Sequence, residues 1–156
     1  MTEKQQSNAR KPRLTGMNHV ALEVGDVEEA LAFYGRIFDF TLRGKGEGQA
    51  FIDMGDQFLA LTQTTAPHED SHRHVGIVVD DRSTVRERVE EAGGRLIDGP
   101  FLDFLDPWGN RIEVVEYARI QFTKAPHVLR GMGLELGKTE SANRELAQKG
   151  MAPDPG

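Results

Sequence analysis

The chain contains no cysteine among its 156 residues, which excludes a disulfide framework, a catalytic thiolate and cysteine-ligated metal sites. Any metal ion must therefore be held by histidine, aspartate or glutamate, a ligand set suited to Fe, Mn, Ni, Zn or Co. Long apolar runs are missing as well, since no segment approaches the roughly 18 residues of a membrane-spanning helix. The first residues also lack the apolar segment of a secretory signal. We expect a cytoplasmic protein with no membrane partner.

Basic charge is scarce in the body of the chain. The net charge of −6 divides into +3 over residues 1–13, +2 over residues 118–156 and −11 between them. An acidic body argues against nucleic acid as a partner. Length and a hydrophobic fraction of 38% suit one globular domain. We predict a disordered arm over residues 1–15, a single domain over 16–117 and a C-terminal extension over 118–156.

A strand followed by a helix opens this domain. Apolar and polar residues alternate along residues 18–24, so that one face is apolar and the other carries His19 and Glu23. Asp26, with Glu29 three residues on, has the pattern of a helix N-terminal capping box. The apolar residues that follow recur at helical spacing. These patterns predict a strand, a tight break and an amphipathic helix.

The same order of elements recurs 55 residues later, where His74 begins a second apolar strand that leads into a second helix. We therefore predict an α+β fold made of two βαβββ modules, about residues 16–64 and 73–117, whose sheets form a cupped mixed sheet. In the first module Gly44, Gly46 and Gly48 predict a mobile connection after the helix.

Three metal-competent side chains share the same parity on the predicted strands. His19 and His74 occupy equivalent places in the two modules, and Glu113 lies between Ile112 and Val114 on the last strand. A carboxylate at such a position is costly unless it is paired. Each residue alone could be structural, but two imidazoles and one carboxylate together form a ligand set for ferrous, Zn, Ni or Mn sites.

Three segments of the sequence resemble the vicinal oxygen chelate superfamily, which includes glyoxalase I, extradiol dioxygenases, fosfomycin-resistance transferases and bleomycin-binding proteins. The resemblance covers roughly residues 16–117 and rests on Met17-Asn18-His19-Val20-Ala21-Leu22-Glu23-Val24 with Phe33-Tyr34, on His74-Val75-Gly76-Ile77-Val78-Val79, and on Asp106-Pro107-Trp108-Gly109-Asn110-Arg111-Ile112-Glu113.

The resemblance implies that His19, His74 and Glu113 hold one divalent ion and that a small oxygenated substrate chelates it. It also implies a homodimer. We expect a metal-dependent enzyme, dioxygenase-like in its ligand set, with Glu113 and Glu23 as candidate acid/base groups. A glyoxalase I-like lyase or isomerase and a non-catalytic sequestering or resistance protein are the alternatives.

The sequence departs from two branches of this superfamily. Where glyoxalase I has a fourth ligand, a glutamate, this chain has Ala60, which can neither ligate nor act as a base. Fosfomycin transferases usually carry a threonine where this chain has Ala21, and a longer polar loop where it has residues 98–100. These departures favour a three-ligand site and weigh against both branches.

Overall fold

The structure is a computed structural model that describes residues 17–155. The first module contains β1 (His19–Val24), α1 (Val27–Ile37), β2 (Leu42–Gly46), β3 (Gln49–Asp53) and β4 (Phe58–Gln63). The second contains β5 (Val75–Val79), α2 (Val85–Ala92), β6 (Arg95–Ile97), β7 (Asp103–Leu105) and β8 (Arg111–Glu116). Each module is therefore a βαβββ unit, and the predicted duplication and α+β class are confirmed.

The junction of β1 and α1 forms as the sequence predicts. Asp26 is the N-cap, and its Oδ1 accepts a hydrogen bond from the backbone N–H of Glu29 over 2.8 Å. The break at Gly25 has a packing reason, because a Cβ there would lie 2.5 Å from Nε1 of Trp108. The indole of the second module thus packs directly on the backbone of the first.

The two modules form separate four-stranded sheets with matching topology. Sheet A has the order β1-β4-β3-β2 and sheet B the order β5-β8-β7-β6. The first strand of each module pairs in parallel with the last, and the remaining pairs are antiparallel. Topology therefore brings β1 beside β4, and β5 beside β8.

The apolar faces of both sheets pack into one shared core. It includes Leu22 and Leu61 from sheet A, Ile112 and Val114 from sheet B, and the apolar faces of α1 and α2, which contact each other. Tyr34 of α1 is 1% exposed in its centre. Both sheets therefore turn their polar faces away from this core, and we call these two surfaces the open faces of sheets A and B.

The predicted mobile connection around residues 44–48 is wrong. Residues 42–46 form β2, which pairs with β3 through a register irregularity between Leu42 and Gly44. Glycine lowers strand propensity, but Gly44 lies opposite Phe51, and a Cβ there would meet the edge of that ring at 3.6 Å. The pairing with β3 outweighs the local preference.

The C-terminal extension contains two short helices, α3 (Pro126–Gly131) and α4 (Glu140–Gln148). The ammonium of Lys138 fastens it by donating to the carbonyl oxygens of Tyr117 over 2.6 Å and Ile120 over 3.0 Å, and also to that of Phe122. Burial lowers the pKa of this ammonium. The predicted arm over residues 1–15 lies outside the described residues. None of the described helices has both the length and the apolarity to cross a membrane.

Candidate metal centre

His19 lies at the start of β1, on the open face of sheet A. Its ring stacks on Phe58 of the paired strand β4, with 4.6 Å between centroids and 9° between planes. Nδ1 lies 2.8 Å from Oδ1 of Asn18. An amide oxygen only accepts, so Nδ1 carries the proton and Nε2 is left with a free lone pair. This tautomer suits a metal ligand.

His74 immediately precedes β5 and is held in the same way. Its Nδ1 lies 2.9 Å from the backbone carbonyl oxygen of His72, so Nδ1 is again the donor, and Nε2 of the neutral ring carries the lone pair. That Nε2 lies 3.4 Å from Oε2 of Glu113, with the two side chains 46% and 23% exposed. Both side chains are partly exposed, and their two polar atoms are near enough to each other to bind the same ion.

Glu113 is positioned by the register of sheet B. It lies between the fully buried Ile112 and Val114, opposite Gly76 on one side and Asp103 on the other. Gly76 has no side chain and leaves room beside the carboxylate on the strand that follows His74. The carboxylate therefore lies on the open face, as its parity predicts.

The structure brings together two of the three predicted ligands. Across residues 17–155, no three histidine, aspartate or glutamate side chains of one chain are close enough to hold an ion. The shared core is the reason: His19 lies on the open face of sheet A, Glu113 lies on that of sheet B, and both faces turn away from the core. A centre with His19, His74 and Glu113 as ligands is therefore not formed within the described part of one chain.

The turn before β8 joins the two modules. Asp106 accepts hydrogen bonds from the backbone N–H groups of Trp108 (3.0 Å) and Asn110 (2.9 Å) and from the hydroxyl of Tyr34 (2.7 Å). Burial raises the pKa of the Asp106 carboxyl, against the opposing effect of these donors. Burial and the adjacent Asp106 raise the pKa of Tyr34 well above its usual range. The Asn110 amide also donates to the backbone oxygen of Glu23 over 2.7 Å, so this turn fixes β8 relative to β1.

A salt bridge beside Glu113 was not predicted from the sequence. Arg111 donates through Nε (2.9 Å) and Nη2 (2.6 Å) to Oδ2 of Asp103, and its Nη1 donates to the carbonyl oxygen of Ser71. Arg111 thereby connects β7 and β8 to the linker between β4 and β5, residues 64–74, which includes His74. The sequence places Arg111 on the same face of the strand as Glu113, but it does not identify the partners of Arg111.

The remaining candidates are separate from the converging pair. Glu23 is exposed on the open face of sheet A, opposite Thr62. Ala60 is 5% exposed on β4, opposite Ala21, and offers no ligand. A groove of about 1070 Å³ runs between the end of α1, the β3–β4 turn, the end of β5 and α3. None of the three predicted ligands lines it, so the groove is distinct from the candidate centre.

The chain is similar in sequence to two proteins that are named as transferases. The chain is 26% identical over 113 residues to the glutathione transferase FosA of Serratia marcescens, covering 65% of this chain and 80% of that protein. It is 27% identical over 111 residues to the metallothiol transferase FosB of Lysinibacillus sphaericus, covering 62% and 79%. The expected dioxygenase character has no counterpart in these names.

A solved structure shares the fold, and a family model matches more than half of the chain. A variant of the fosfomycin resistance protein FosX from Listeria monocytogenes, complexed with Mn(II) and 1S,2S-dihydroxypropylphosphonic acid, has the same fold, with a TM-score of 0.57, 17% identity and coverage of 65% of this chain and 90% of that chain. The family model described as Glyoxalase/Bleomycin resistance protein/Dioxygenase superfamily matches residues 16–114. The chain belongs to the glyoxalase/bleomycin resistance protein/dioxygenase superfamily.

Proposed function

We propose that this chain is a metal-dependent enzyme that binds a small oxygenated molecule on one divalent ion. The ion would be held by His19 of one subunit together with the partner subunit's His74 and Glu113. The observation that carries the proposal is the 3.4 Å approach of His74 Nε2 to Glu113 Oε2 on an open face. The equivalent place on the other open face is occupied by His19, whose Nε2 is also free.

The donor set fits such an ion without a fourth protein ligand. Both imidazoles carry their proton on Nδ1, where Asn18 and the His72 carbonyl accept it, so both Nε2 atoms can ligate. His19, His74 and Glu113 would leave open positions on such an ion, which would polarise the oxygens of a chelated substrate. Glu23, exposed on the same face as His19, is the side chain we propose for moving a proton at the substrate.

Transfer of a nucleophile to the chelated substrate is the reaction class we favour. The relatives that the chain matches are named as transferases, which supports this class over the dioxygenase class that the ligand set alone suggested. Ala21 and the short loop over residues 98–100 leave the substrate open, so fosfomycin with glutathione is the first pair to test rather than an assigned one. Dioxygenase chemistry is the second candidate, because two histidines and one carboxylate also suit ferrous oxygenases.

Calorimetric titration of the metal-free protein with Mn(II) tests the proposal. We expect one ion per chain in the wild type and an affinity at least about 100-fold weaker in His74→Ala. His127→Ala is the control, because His127 is an exposed residue of α3 away from the pair. Absence of stoichiometric ion binding in the wild type would contradict the proposal and favour the sequestering alternative. If the Fe(II)-loaded protein consumed oxygen, dioxygenation would replace transfer as the proposed reaction class.

A further inference from the structure

A β-bulge in sheet A directs one arginine onto the open face beside His19. Leu42 pairs with Ile52 and Gly44 pairs with Phe51, so Arg43 is the extra residue of β2. A bulge of this kind re-aims a side chain and is frequent next to active sites. The Arg43 guanidinium carbon accordingly lies 4.9 Å from the centroid of Phe58, the ring on which His19 stacks.

Phe58 connects this guanidinium to the candidate centre. Its ring also meets Phe51 edge-on, with 5.6 Å between centroids and 88° between planes. The His19–Phe58 distance of 4.6 Å and the Arg43–Phe58 distance of 4.9 Å together limit the separation of the guanidinium carbon from the imidazole centroid to 9.5 Å. The ring of Phe58 thus contacts both the Arg43 guanidinium and the His19 imidazole.

The charge of Arg43 has no acidic partner among residues 17–155. Its nearest basic neighbour on β2, Lys45, lies opposite Ala50 of the core face and pairs with Glu28 of α1. Two acids lie on the open face. Asp53 accepts the backbone N–H of Gly55 over 2.7 Å, and Glu23 lies on β1, opposite Thr62 of β4. Lys45 therefore has an acidic partner within the fold. Arg43 packs on an aromatic ring and has no anionic partner among the described residues.

We infer that Arg43 binds an anionic group of the substrate that is separate from the oxygens on the ion. This inference rests on the proposed function for the position of the ion. A planar guanidinium donates two parallel hydrogen bonds to a carboxylate or phosphate, and the ring below it holds it in place. The substrate class is then a small molecule with chelating oxygens at one end and a carboxylate or phosphate group at the other.

The first test uses the metal-free full chain, so that it does not depend on the ion. Inorganic phosphate is titrated while the arginine Nε–H resonances are followed by NMR, with the Arg43 signal identified by its loss in Arg43→Lys. We expect a saturable shift of the Arg43 signal and only a small linear drift of Arg144, whose side chain is 65% exposed on α4. An Arg43 response no different from that of Arg144 would overturn the inference.

The second test identifies the distal group with two chelating probes. Pyruvate and 2-oxoglutarate both offer a 2-oxo acid to Mn(II), but only the second carries a distal carboxylate. We expect the Mn(II)-loaded wild type to prefer 2-oxoglutarate by about 10- to 100-fold and Arg43→Ala to lose that preference with unchanged Mn(II) affinity; Arg144→Ala should keep it. An unchanged preference in Arg43→Ala would overturn the inference. If the wild type binds no Mn(II), the proposed function fails, and the phosphate titration alone decides the role of Arg43.

Discussion

Nε2 of His74 lies 3.4 Å from Oε2 of Glu113 on the open face of sheet B, while the third predicted ligand lies on the open face of the other sheet. The two faces turn away from one shared core, so this separation is built into the packing of the modules. A closed two-fold dimer can supply the missing ligand twice, because each chain then offers one face of each kind. The homodimer expected from the sequence is therefore part of the proposed function.

Asn18 should control the metal affinity of His19 without affecting stability. Asn18 is exposed. Among the described residues its side chain makes one hydrogen bond, in which Oδ1 accepts the Nδ1 proton of His19 over 2.8 Å. Partners of this kind change metal affinity about 10- to 100-fold. We therefore expect Asn18→Ala to weaken Mn(II) binding by that factor in calorimetry while its urea unfolding midpoint stays at the wild-type value.

The matched control is Asn143→Ala on α4, which should change neither quantity. If Asn18→Ala bound Mn(II) as tightly as the wild type, the orientation of His19 by Asn18 would be irrelevant to the site.

Loss of the Tyr34 hydroxyl should destabilise the protein more at neutral than at acidic pH. The hydroxyl donates to Oδ2 of Asp106 over 2.7 Å in the buried junction of the modules, and this bond favours the charged carboxylate. In Tyr34→Phe we expect a loss of about 1.5–3 kcal/mol at pH 7. The loss should shrink as the pH falls through the raised pKa of Asp106, because the protonated carboxyl needs the donor less.

Urea unfolding of wild type and variant at pH 7 and pH 4 measures this difference. Tyr117→Phe is the control, since the Tyr117 hydroxyl accepts the backbone N–H of Lys124 and bonds no carboxylate among the described residues. A pH-independent loss in Tyr34→Phe would show that Asp106 is not the group that matters.

Gly109 is required for the contact of the β7–β8 turn with the linker that carries His74. Its φ is +90°, and a Cβ would lie 2.4 Å from the Cα of Glu69. Gly93 has nearly the same φ, +85°, but a Cβ there would meet nothing within 4 Å. We expect Gly93→Ala to cost about 1 kcal/mol of unfolding free energy from backbone strain alone and Gly109→Ala to cost clearly more.

Limited proteolysis adds a second measurement to this pair. Cleavage within residues 64–73 should accelerate in Gly109→Ala and stay at the wild-type rate in Gly93→Ala. Equal unfolding energies and equal cleavage in the two variants would contradict the close packing of turn and linker.

Local sequence patterns were sufficient to predict the fold, but they did not predict how the site residues are arranged relative to one another. The Asp26 N-cap and the parity of His19 and Glu113 are properties of residues close in sequence, and they are confirmed by the geometry of β1, α1 and β8. The return bond of the predicted capping box, from the Asp26 backbone N–H to the Glu29 side chain, is not formed among the described residues. Parity states which side of a sheet a residue occupies, but it does not state toward which other sheet that side turns. The helix contact between the modules decides this, and it depends on contacts between residues far apart in the chain.

The residues that sequence reasoning missed depend on such long-range geometry as well. Strand β2 was missed because its two glycines resemble a loop, and with it the bulge that places Arg43. The sequence shows that Asn18 precedes His19, but it does not show that the Asn18 side chain is the hydrogen-bond partner of His19. Asp103 and Arg111 are eight residues apart, and only the register of β7 with β8 makes them neighbours.

The most direct test of the shared centre is subunit complementation between His19→Ala and Glu113→Ala. Each variant alone should bind no Mn(II) at a concentration that saturates the wild type. After mixing and random exchange of subunits, half of the dimers are mixed and each holds one intact site, so about a quarter of the wild-type sites should return. A mixture of His74→Ala and Glu113→Ala should restore none, because those two residues belong to the same half of the centre. No recovery in the first mixture, or recovery equal in both, would contradict a centre built from His19 of one subunit and the partner subunit's His74 and Glu113.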